Sequence, residues 1–175
     1  KMVRLETLLE KIKDTPLSLD YIRKKLPPKC KAVEYKNLDK HRSVVFKDAE
    51  AIVVLIPNKA DDIGHFVVLV AKGAQSSHGH IEYFSSLGGS FDEELDKLHQ
   101  SHTIMKNLLG NNYIYNSVKL QSGDYKIKDC ASFVLMRLYF RNMKLRDFQK
   151  LFSKNIQLST PDDIASALTA LLLIE

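Results

Sequence analysis

Cysteine is scarce in this chain and tryptophan is absent: the 175 residues include only two cysteines, Cys30 and Cys130. Two cysteines cannot form the dense disulfide framework that stabilises many small secreted domains. No apolar run reaches the roughly 20 residues that an α-helix needs to span a bilayer, and residues 1–6 lack the apolar core of a signal peptide. We therefore expect two free thiols in a reducing compartment and no membrane association.

Acidic residues are outnumbered by basic ones, 21 against 26, which gives a formal net charge of +5. A basic balance permits an acidic partner such as nucleic acid. Basic residues are dense between Arg23 and Arg42, but aromatic side chains that could stack on bases are sparse there, and Tyr21 and Tyr35 are the nearest examples. This segment is either a solvated face that maintains solubility or a surface for non-specific binding of DNA.

Apolar periodicity predicts a mixture of helices and strands. Helical spacing predicts helices over residues 5–12, 17–26, 131–140 and 144–152. Short apolar runs predict strands over residues 44–46, 51–56, 66–70, 81–84, 113–115 and 117–120. Two capping patterns add helices: Ser90 with Glu93 begins one that reaches about Leu109, and Thr160-Pro161 begins one that reaches about Leu173. The pattern predicts one α+β domain, with a small mixed sheet flanked by helices.

Cys130 lies between a polar segment and an apolar one. Residues 121–129 are mostly polar and contain Gly123, whereas residues 131–135 begin the most apolar of the predicted helices. A helix N-terminus supplies partial positive charge and N–H groups, which favour thiolate over thiol. We predict that Cys130 is a nucleophile whose sulfur faces a surface cleft. The alternative is a buried structural cysteine, since free cysteine is among the most buried residue types.

His65 is the only histidine within an apolar, strand-like run. Gly64 and a polar loop precede it, so we expect the imidazole at the mouth of the strand. There it could take a thiol proton and later return one to a leaving amine. The alternative is a histidine that is simply buried in the core.

The other candidate residues carry weaker patterns. Cys30 has basic neighbours but no helix start, so it is the weaker candidate for an activated thiol. The remaining histidines considered for a metal site are His78, His80, His99 and His102. A zinc site would need further ligands, which these segments do not supply. We expect no metal ion and no cofactor.

Four segments, in this order, resemble the adenovirus-type and Ulp-type cysteine proteases, and most closely the capsid-maturation proteases of virophages and Polinton-like elements. The segments are Gly64-His65-Phe66, Phe84-Ser85-Ser86-Leu87-Gly88, Gln121 and Asp129-Cys130-Ala131-Ser132-Phe133. The resemblance covers about half of the chain. It implies a papain-like or Ulp-like architecture with the nucleophile at the N-terminus of a central buried helix.

The resemblance assigns a role to four residues. Cys130 would be the nucleophile, His65 the base, Gln121 the donor to the developing oxyanion, and Ser85 the third catalytic member. The family carries Asp or Glu where this chain has Ser85, and a hydroxyl can orient an imidazole but cannot supply a carboxylate's charge. A Cys–His pair needs that charge less than a Ser–His pair, because a thiol is already more acidic.

The departure at Ser85 leaves the third catalytic member open. The alternatives are Glu82, Asp92, a backbone carbonyl or a water molecule, although Glu82 points to the opposite face of an alternating strand. Two further departures are Ala131, where the family has glycine, and the interval of nine positions from Gln121 to Cys130, which requires a longer loop.

The resemblance implies a cysteine endopeptidase that cleaves a viral structural (capsid) precursor during particle maturation, with small residues, often glycine, at the cleaved bond. We expect a single domain with a helical, basic segment over 1–43, a catalytic core over 44–140 and C-terminal helices over 141–175. We expect a monomer in the host cytoplasm or the virion, with the capsid protein as substrate and DNA as a non-specific partner. Two alternatives are an isopeptidase for a ubiquitin-like modifier, and an inactive scaffold or nucleic-acid-binding protein.

Overall fold

A mixed five-stranded sheet organises the molecule. The computed structural model describes residues 17–60, 63–72, 79–122, 127–153 and 160–172. The strands, in their order across the sheet, are β1 Cys30–Glu34, β2 Ala51–Ile56, β3 His65–Lys72, β4 His80–Phe84 and β5 Tyr113–Tyr115. β1 is parallel to β2, β3 is antiparallel to both of its neighbours, and β5 is parallel to β4.

Seven α-helices of the described residues surround this sheet. They are α1 Leu19–Lys24, α2 Arg42–Val45, α3 Phe91–Lys97, α4 Thr103–Leu109, α5 Ile127–Tyr139, α6 Leu145–Ser153 and α7 Pro161–Leu172, with a 3-10 turn at Tyr35–Asn37. The predicted α+β class, with a mixed sheet flanked by helices, is confirmed. None of the helices in the described part of the chain combines the length and the apolar character needed to cross a membrane.

Side chains of β3 enter two separate buried clusters, because successive residues of a strand face opposite sides of the sheet. Phe66 and Val68 pack in the cluster that includes α5, and α7 packs behind that helix. Val67 and Leu69 pack in the cluster that includes α3 and α4. Both faces of β3 are covered, which explains why the strand is apolar at nearly every position instead of alternating.

A buried ion pair fastens α5 to the sheet. Arg137 donates to both carboxylate oxygens of Glu82 on β4, from Nε at 2.6 Å and from Nη2 at 2.9 Å. Two further guanidinium N–H groups donate to the carbonyls of Phe140 and Met143. A buried charge is tolerated only when it is paired and hydrogen-bonded, and this arrangement satisfies both conditions while joining α5 to β4.

Two predicted strands are wrong. Residues 44–46 follow a strand pattern, yet α2 occupies this place. The Arg42 guanidinium donates to the carbonyls of Leu108 and Leu109 at the end of α4, at 2.6 Å each, while Val45 is buried. These tertiary contacts outweigh the strand preference of the β-branched residues. Residues 117–120 form a loop, because the Asn116 side chain bonds the N–H and the carbonyl of Val118.

The helix predicted from Ser90 to about Leu109 is also wrong as a single element. The capping box is present, with Ser90 Oγ accepting from the Glu93 N–H and the Glu93 carboxylate accepting from the Ser90 N–H. However, the chain turns at His99, whose φ of 54° is left-handed, and a second helix begins at Thr103. In addition, β1 lies in the basic segment for which only helices were predicted. The helix predicted over residues 5–12 lies outside the described residues.

Candidate active site

His65 is the first residue of β3, and its side chain is fully buried. Its backbone pairs with Ile56, and a Cβ on the preceding Gly64 would come within 3.1 Å of the Ile56 carbonyl oxygen. Gly64 therefore lets β3 begin tight against β2, with the imidazole at the end of the sheet. Burial lowers the pKa of His65 to about 3, so the ring is neutral at physiological pH, as a base requires.

Ser85 follows the last residue of β4 and lies against this imidazole. Its Oγ is 2.9 Å from His65 Nε2, and it also accepts a hydrogen bond from the Leu87 N–H. The Asn116 amide donates to the Ser85 carbonyl, which holds the turn in place. The structure thus brings Ser85 and His65 together as predicted. Because Ser85 engages Nε2, Nδ1 is the nitrogen through which the ring can exchange a proton with a thiol.

Glu94 of α3 completes this group, and sequence reasoning missed it. Its Oε2 accepts a hydrogen bond from the Tyr83 hydroxyl at 2.6 Å and lies 3.8 Å from His65 Nε2. Burial raises the pKa of Glu94 to about 7, although hydrogen bonds from the Ser85 and Tyr83 side chains act in the opposite direction. A carboxylate is therefore present beside the histidine, but it comes from a helix and not from the strand.

The sequence does contain an indication that Glu94 is buried. Helical spacing places it on the same face as Phe91, Leu95 and Leu98, all of which are buried. An acidic residue within such an apolar stripe is unusual, because a buried carboxylate must find partners. The capping box at Ser90 instead involves Glu93, which is a surface residue.

The two carboxylates that the sequence offers for the third position lie elsewhere. Glu82 is bound in the buried pair with Arg137, on the face of the sheet that carries α5. Asp92 is exposed and contacts His102 Nδ1 at 3.0 Å. Neither has a described contact with His65, so the structure favours Glu94 over both.

Ser86, the residue after Ser85, binds the other predicted site residue. Its hydroxyl donates to Gln121 Oε1 at 2.8 Å, and its carbonyl accepts the N–H groups of Leu120 and Gln121 at 2.8 and 3.0 Å. Gln121 is buried. Because its oxygen accepts from Ser86, the amide N–H₂ is the end of the side chain that can donate to an oxyanion.

The loop that carries Gln121 approaches Gly88 very closely. Gly88 has a φ of +74°, and a Cβ there would lie 2.4 Å from the Lys119 nitrogen. Only glycine permits both the backbone conformation and this contact. Further along, the Ser122 N–H donates to the Asp162 carboxylate of α7, which fixes the far side of the loop.

Cys130 is the fourth residue of α5, so it lies in the first turn of the central helix as predicted, although the helix begins at Ile127 and not at Ala131. Its side chain belongs to the same buried cluster as Phe66, the neighbour of His65. The prediction that its sulfur faces a surface cleft is wrong: Cys130 is 0% exposed. The thiol is therefore not accessible to solvent in this structure.

The other candidates lie apart from this group. Cys30 begins β1 and is partly buried, and burial is the main reason that its pKa is raised. His102 bonds two exposed carboxylates, Asp92 and Asp96, and His78 lies outside the described residues. Among the described residues, no three histidine, cysteine or acidic side chains are gathered closely enough to hold a metal ion.

No protein-family model and no curated protein matches this chain. Among solved structures, it is similar to the crystal structure of the ASFV pS273R protease, with a TM-score of 0.42 and 14% identity over 81% of this chain. The chain spans 57% of the length of that viral protease.

Proposed function

We propose that this protein is a cysteine endopeptidase with Cys130 as nucleophile, His65 as base and Gln121 as oxyanion donor. The observation that carries the proposal is the pair of consecutive serines after β4. Ser85 holds His65 Nε2, and Ser86 holds Gln121 Oε1. One turn of backbone therefore orients both a neutral imidazole and an amide donor, two groups that acyl transfer to a thiol requires.

The proposed reaction begins with transfer of the Cys130 proton to His65 Nδ1. The thiolate attacks the carbonyl carbon of the scissile peptide bond, and the Gln121 amide donates to the oxygen that becomes negative. The intermediate collapses to a thioester, and the imidazolium gives its proton to the leaving amine. Water, deprotonated by the same imidazole, then hydrolyses the thioester and releases the free thiol.

For the substrate we propose a viral structural precursor, such as a capsid protein, with small residues at the cleaved bond. The four segments that resemble capsid-maturation proteases support this choice. Small side chains also suit a thiol that is fully buried, because a bulky residue would need a larger rearrangement to approach it.

Incubation of the protein with candidate capsid proteins, followed by mass measurement of the products, tests the proposal. Products of defined mass that depend on Cys130 support an endopeptidase. Release of a ubiquitin-like modifier from a lysine side chain, with no cleavage of capsid proteins, would favour the isopeptidase. Absence of both reactions, with the fold intact, would overturn the enzyme and leave the scaffold.

We also propose non-specific contact with DNA through the basic surface that begins near Arg23. A cleft on this side is lined by Lys29, Lys40, Arg42, Lys47 and Lys72. Part of its charge is compensated, since Lys29 pairs with Glu50 at 3.2 Å and Lys72 lies 3.6 Å from Glu82. Lys40 and Lys47 are exposed and are the better candidates for phosphate contacts.

A further inference from the structure

We propose that Glu94 is the acidic positioning residue of this active centre, acting on His65 through the hydroxyl of Ser85. The inference rests on the proposed function, because it assigns a purpose to the tautomer and the charge of His65 in thiol chemistry. It places the acid on helix α3, nine positions after Ser85, the residue at which the family pattern has its own acid.

The three side chains form one buried group around His65 Nε2. His65, Ser85 and Glu94 are each no more than 1% exposed. Ser85 Oγ lies 2.9 Å from His65 Nε2, and Glu94 Oε2 lies 3.8 Å from the same nitrogen. A hydrogen bond from the Ser85 side chain also lowers the pKa of Glu94. Ser85 and Glu94 therefore meet at the same nitrogen of the imidazole, and the carboxyl group is close enough for direct charge interaction.

The direction of the hydrogen bonds in this group decides whether His65 can act as a base. When Glu94 is ionised, it can only accept, so the Ser85 hydroxyl hydrogen points to the carboxylate. Ser85 Oγ then accepts from His65 Nε2–H, and Nδ1 keeps the lone pair that takes the thiol proton. When Glu94 is protonated, it donates to Ser85, the Ser85 hydrogen turns to Nε2, and the proton of the ring moves to Nδ1, where it blocks the base.

The surroundings of Glu94 fit this role. Tyr83 of β4 donates a hydrogen bond to Glu94 Oε2. The other carboxylate oxygen, Oε1, is buried and receives no hydrogen bond of regular geometry from the described residues. The charged or polar groups that act on the carboxylate are Ser85, Tyr83, Lys97 and the Gly89 N–H, together with the imidazole of His65. Among these neighbours only His65 changes charge during thiol chemistry, so Glu94 is placed to stabilise the imidazolium.

A purely structural explanation would have Glu94 hold α3 on the sheet through Tyr83 alone. The two explanations differ in what they predict for the imidazole. A structural bond would leave the tautomer of His65 unchanged when Glu94 is neutralised, whereas the positioning role requires it to change.

Nitrogen-15 NMR of labelled histidine in the full chain distinguishes these cases, because it reports the protonated nitrogen of His65 directly and needs no substrate. In the natural protein we expect Nε2–H above about pH 7 and Nδ1–H below it, the value to which burial raises the pKa of Glu94. In Glu94→Gln, Tyr83 should hold the amide oxygen and turn the N–H₂ toward Ser85, so Nδ1–H should persist at pH 8. Asp96→Asn, an exposed acid on the same helix, is the matched control and should behave as the natural protein.

Tyr83→Phe gives a second test if Glu94→Gln does not fold. The Tyr83 hydroxyl lowers the pKa of Glu94, so its loss should move the midpoint of the tautomer change to higher pH.

The rate at which iodoacetamide alkylates Cys130 at pH 8 should fall by about tenfold or more in Glu94→Gln, within the range of base effects. An unchanged His65 tautomer in Glu94→Gln, or an unmoved midpoint in Tyr83→Phe, would overturn the inference. Loss of peptide cleavage in every variant, with the NMR result as expected, would overturn only the proposed function.

Discussion

Ser86 donates its hydroxyl hydrogen to Gln121 Oε1 across 2.8 Å, over 35 positions of sequence. Its neighbour Ser85 lies 2.9 Å from His65 Nε2. Two adjacent hydroxyls thus orient two different side chains, and each can be removed by the same small substitution. This allows thiol activation to be separated experimentally from oxyanion stabilisation.

Loss of the Ser86–Gln121 bond should slow turnover and leave thiol activation intact. Gln121→Ala should lower kcat by about 10²–10³-fold, the usual cost of one oxyanion donor. Ser86→Ala should cost less, because the amide remains but loses its orientation. Ser85→Ala should lower kcat about tenfold, far below the roughly 10⁴-fold loss of a serine protease deprived of its Asp charge. Steady-state cleavage of a peptide from the mapped site measures these values.

Alkylation of Cys130 by iodoacetamide supplies the control for this comparison. The alkylation rate should be unchanged in Ser86→Ala and Gln121→Ala and reduced in Ser85→Ala, since of these three residues Ser85 is the one that bonds the base, His65. If Ser86→Ala and Ser85→Ala affect both measurements equally, the separate roles assigned to the two serines are incorrect.

His65 and Glu94 should make opposite contributions to stability as the pH changes. Burial lowers the pKa of His65 from 6.5 to about 3, so the unfolded state binds a proton that the folded state excludes, and stability rises with pH between these values. Burial raises the pKa of Glu94 from 4.5 to about 7, so the folded state retains a proton that the unfolded state loses, and stability falls as pH rises through this interval. Between about pH 4.5 and 6.5 the two effects cancel.

Removal of either group should therefore reveal the effect of the other. Relative to the natural protein, Glu94→Gln should gain unfolding free energy with rising pH over this window, by about 1.4 kcal/mol per pH unit. His65→Gln should lose unfolding free energy with rising pH, at a slope of similar size. Urea unfolding at half-unit intervals of pH measures both, with Asp96→Asn as the control. Slopes of the same sign in the two variants would contradict the assigned directions of the pKa shifts.

The buried pair of Arg137 and Glu82 gives a prediction for stability alone. Arg137→Met leaves a carboxylate buried without its main partner and should lower the unfolding free energy by about 3–5 kcal/mol. Glu82→Met combined with Arg137→Met should recover a large part of this loss, because apolar side chains of similar volume can replace a buried pair. Chemical denaturation measures both variants. A double variant no more stable than Arg137→Met would show that the carbonyl contacts of Arg137 carry the stabilisation.

Binding of DNA by the basic surface should be weakened by reversal of three exposed lysines. Lys31, Lys40 and Lys47 are suitable because, unlike Lys29 and Lys36, they form no described ion pair with a carboxylate. Their substitution by Glu should lower the affinity for duplex DNA and make its salt dependence shallower, because the protein then neutralises fewer phosphates and releases fewer counterions. Fluorescence anisotropy at several salt concentrations measures the slope.

An equal change of charge elsewhere is the control for this experiment. Substitution of Lys144, Arg146 and Lys150 by Glu changes the net charge by the same amount on or beside α6. Equal weakening in both triple variants would mean that only net charge matters. Affinity that does not depend on salt in the natural protein would show that the segment is a solvated face.

The sequence predicts the fold well where one local pattern decides it. The apolar runs of β2 and β3, the Ser90 capping box and the Pro161 helix start are all found in the structure. The sequence fails where distant contacts decide. Residues 44–46 have strand-forming side chains, but Arg42 binds the end of α4, 66 positions away, and draws this segment into a helix.

The same contrast applies to the candidate site. The proximity of His65 and Ser85 could be predicted because they lie at the adjoining ends of two neighbouring strands. Glu94 could not be placed, because its contact with His65 depends on how α3 packs on the sheet. The burial of Cys130 was expected only in the alternative of a structural cysteine, since a polar segment before a helix gives no information about what covers the thiol.

Site-specific labelling of the thiol, combined with cleavage of a candidate capsid precursor, tests the proposed cysteine endopeptidase most directly. We would treat the protein with a peptide vinyl sulfone that ends in glycine, and measure the intact mass, the modified residue and the cleavage products. We expect one label, on Cys130, and cleavage in the natural protein and in Cys30→Ser. We expect neither in Cys130→Ala nor in His65→Ala. Cleavage by Cys130→Ala at the rate of the natural protein would contradict the assignment of Cys130 as the nucleophile.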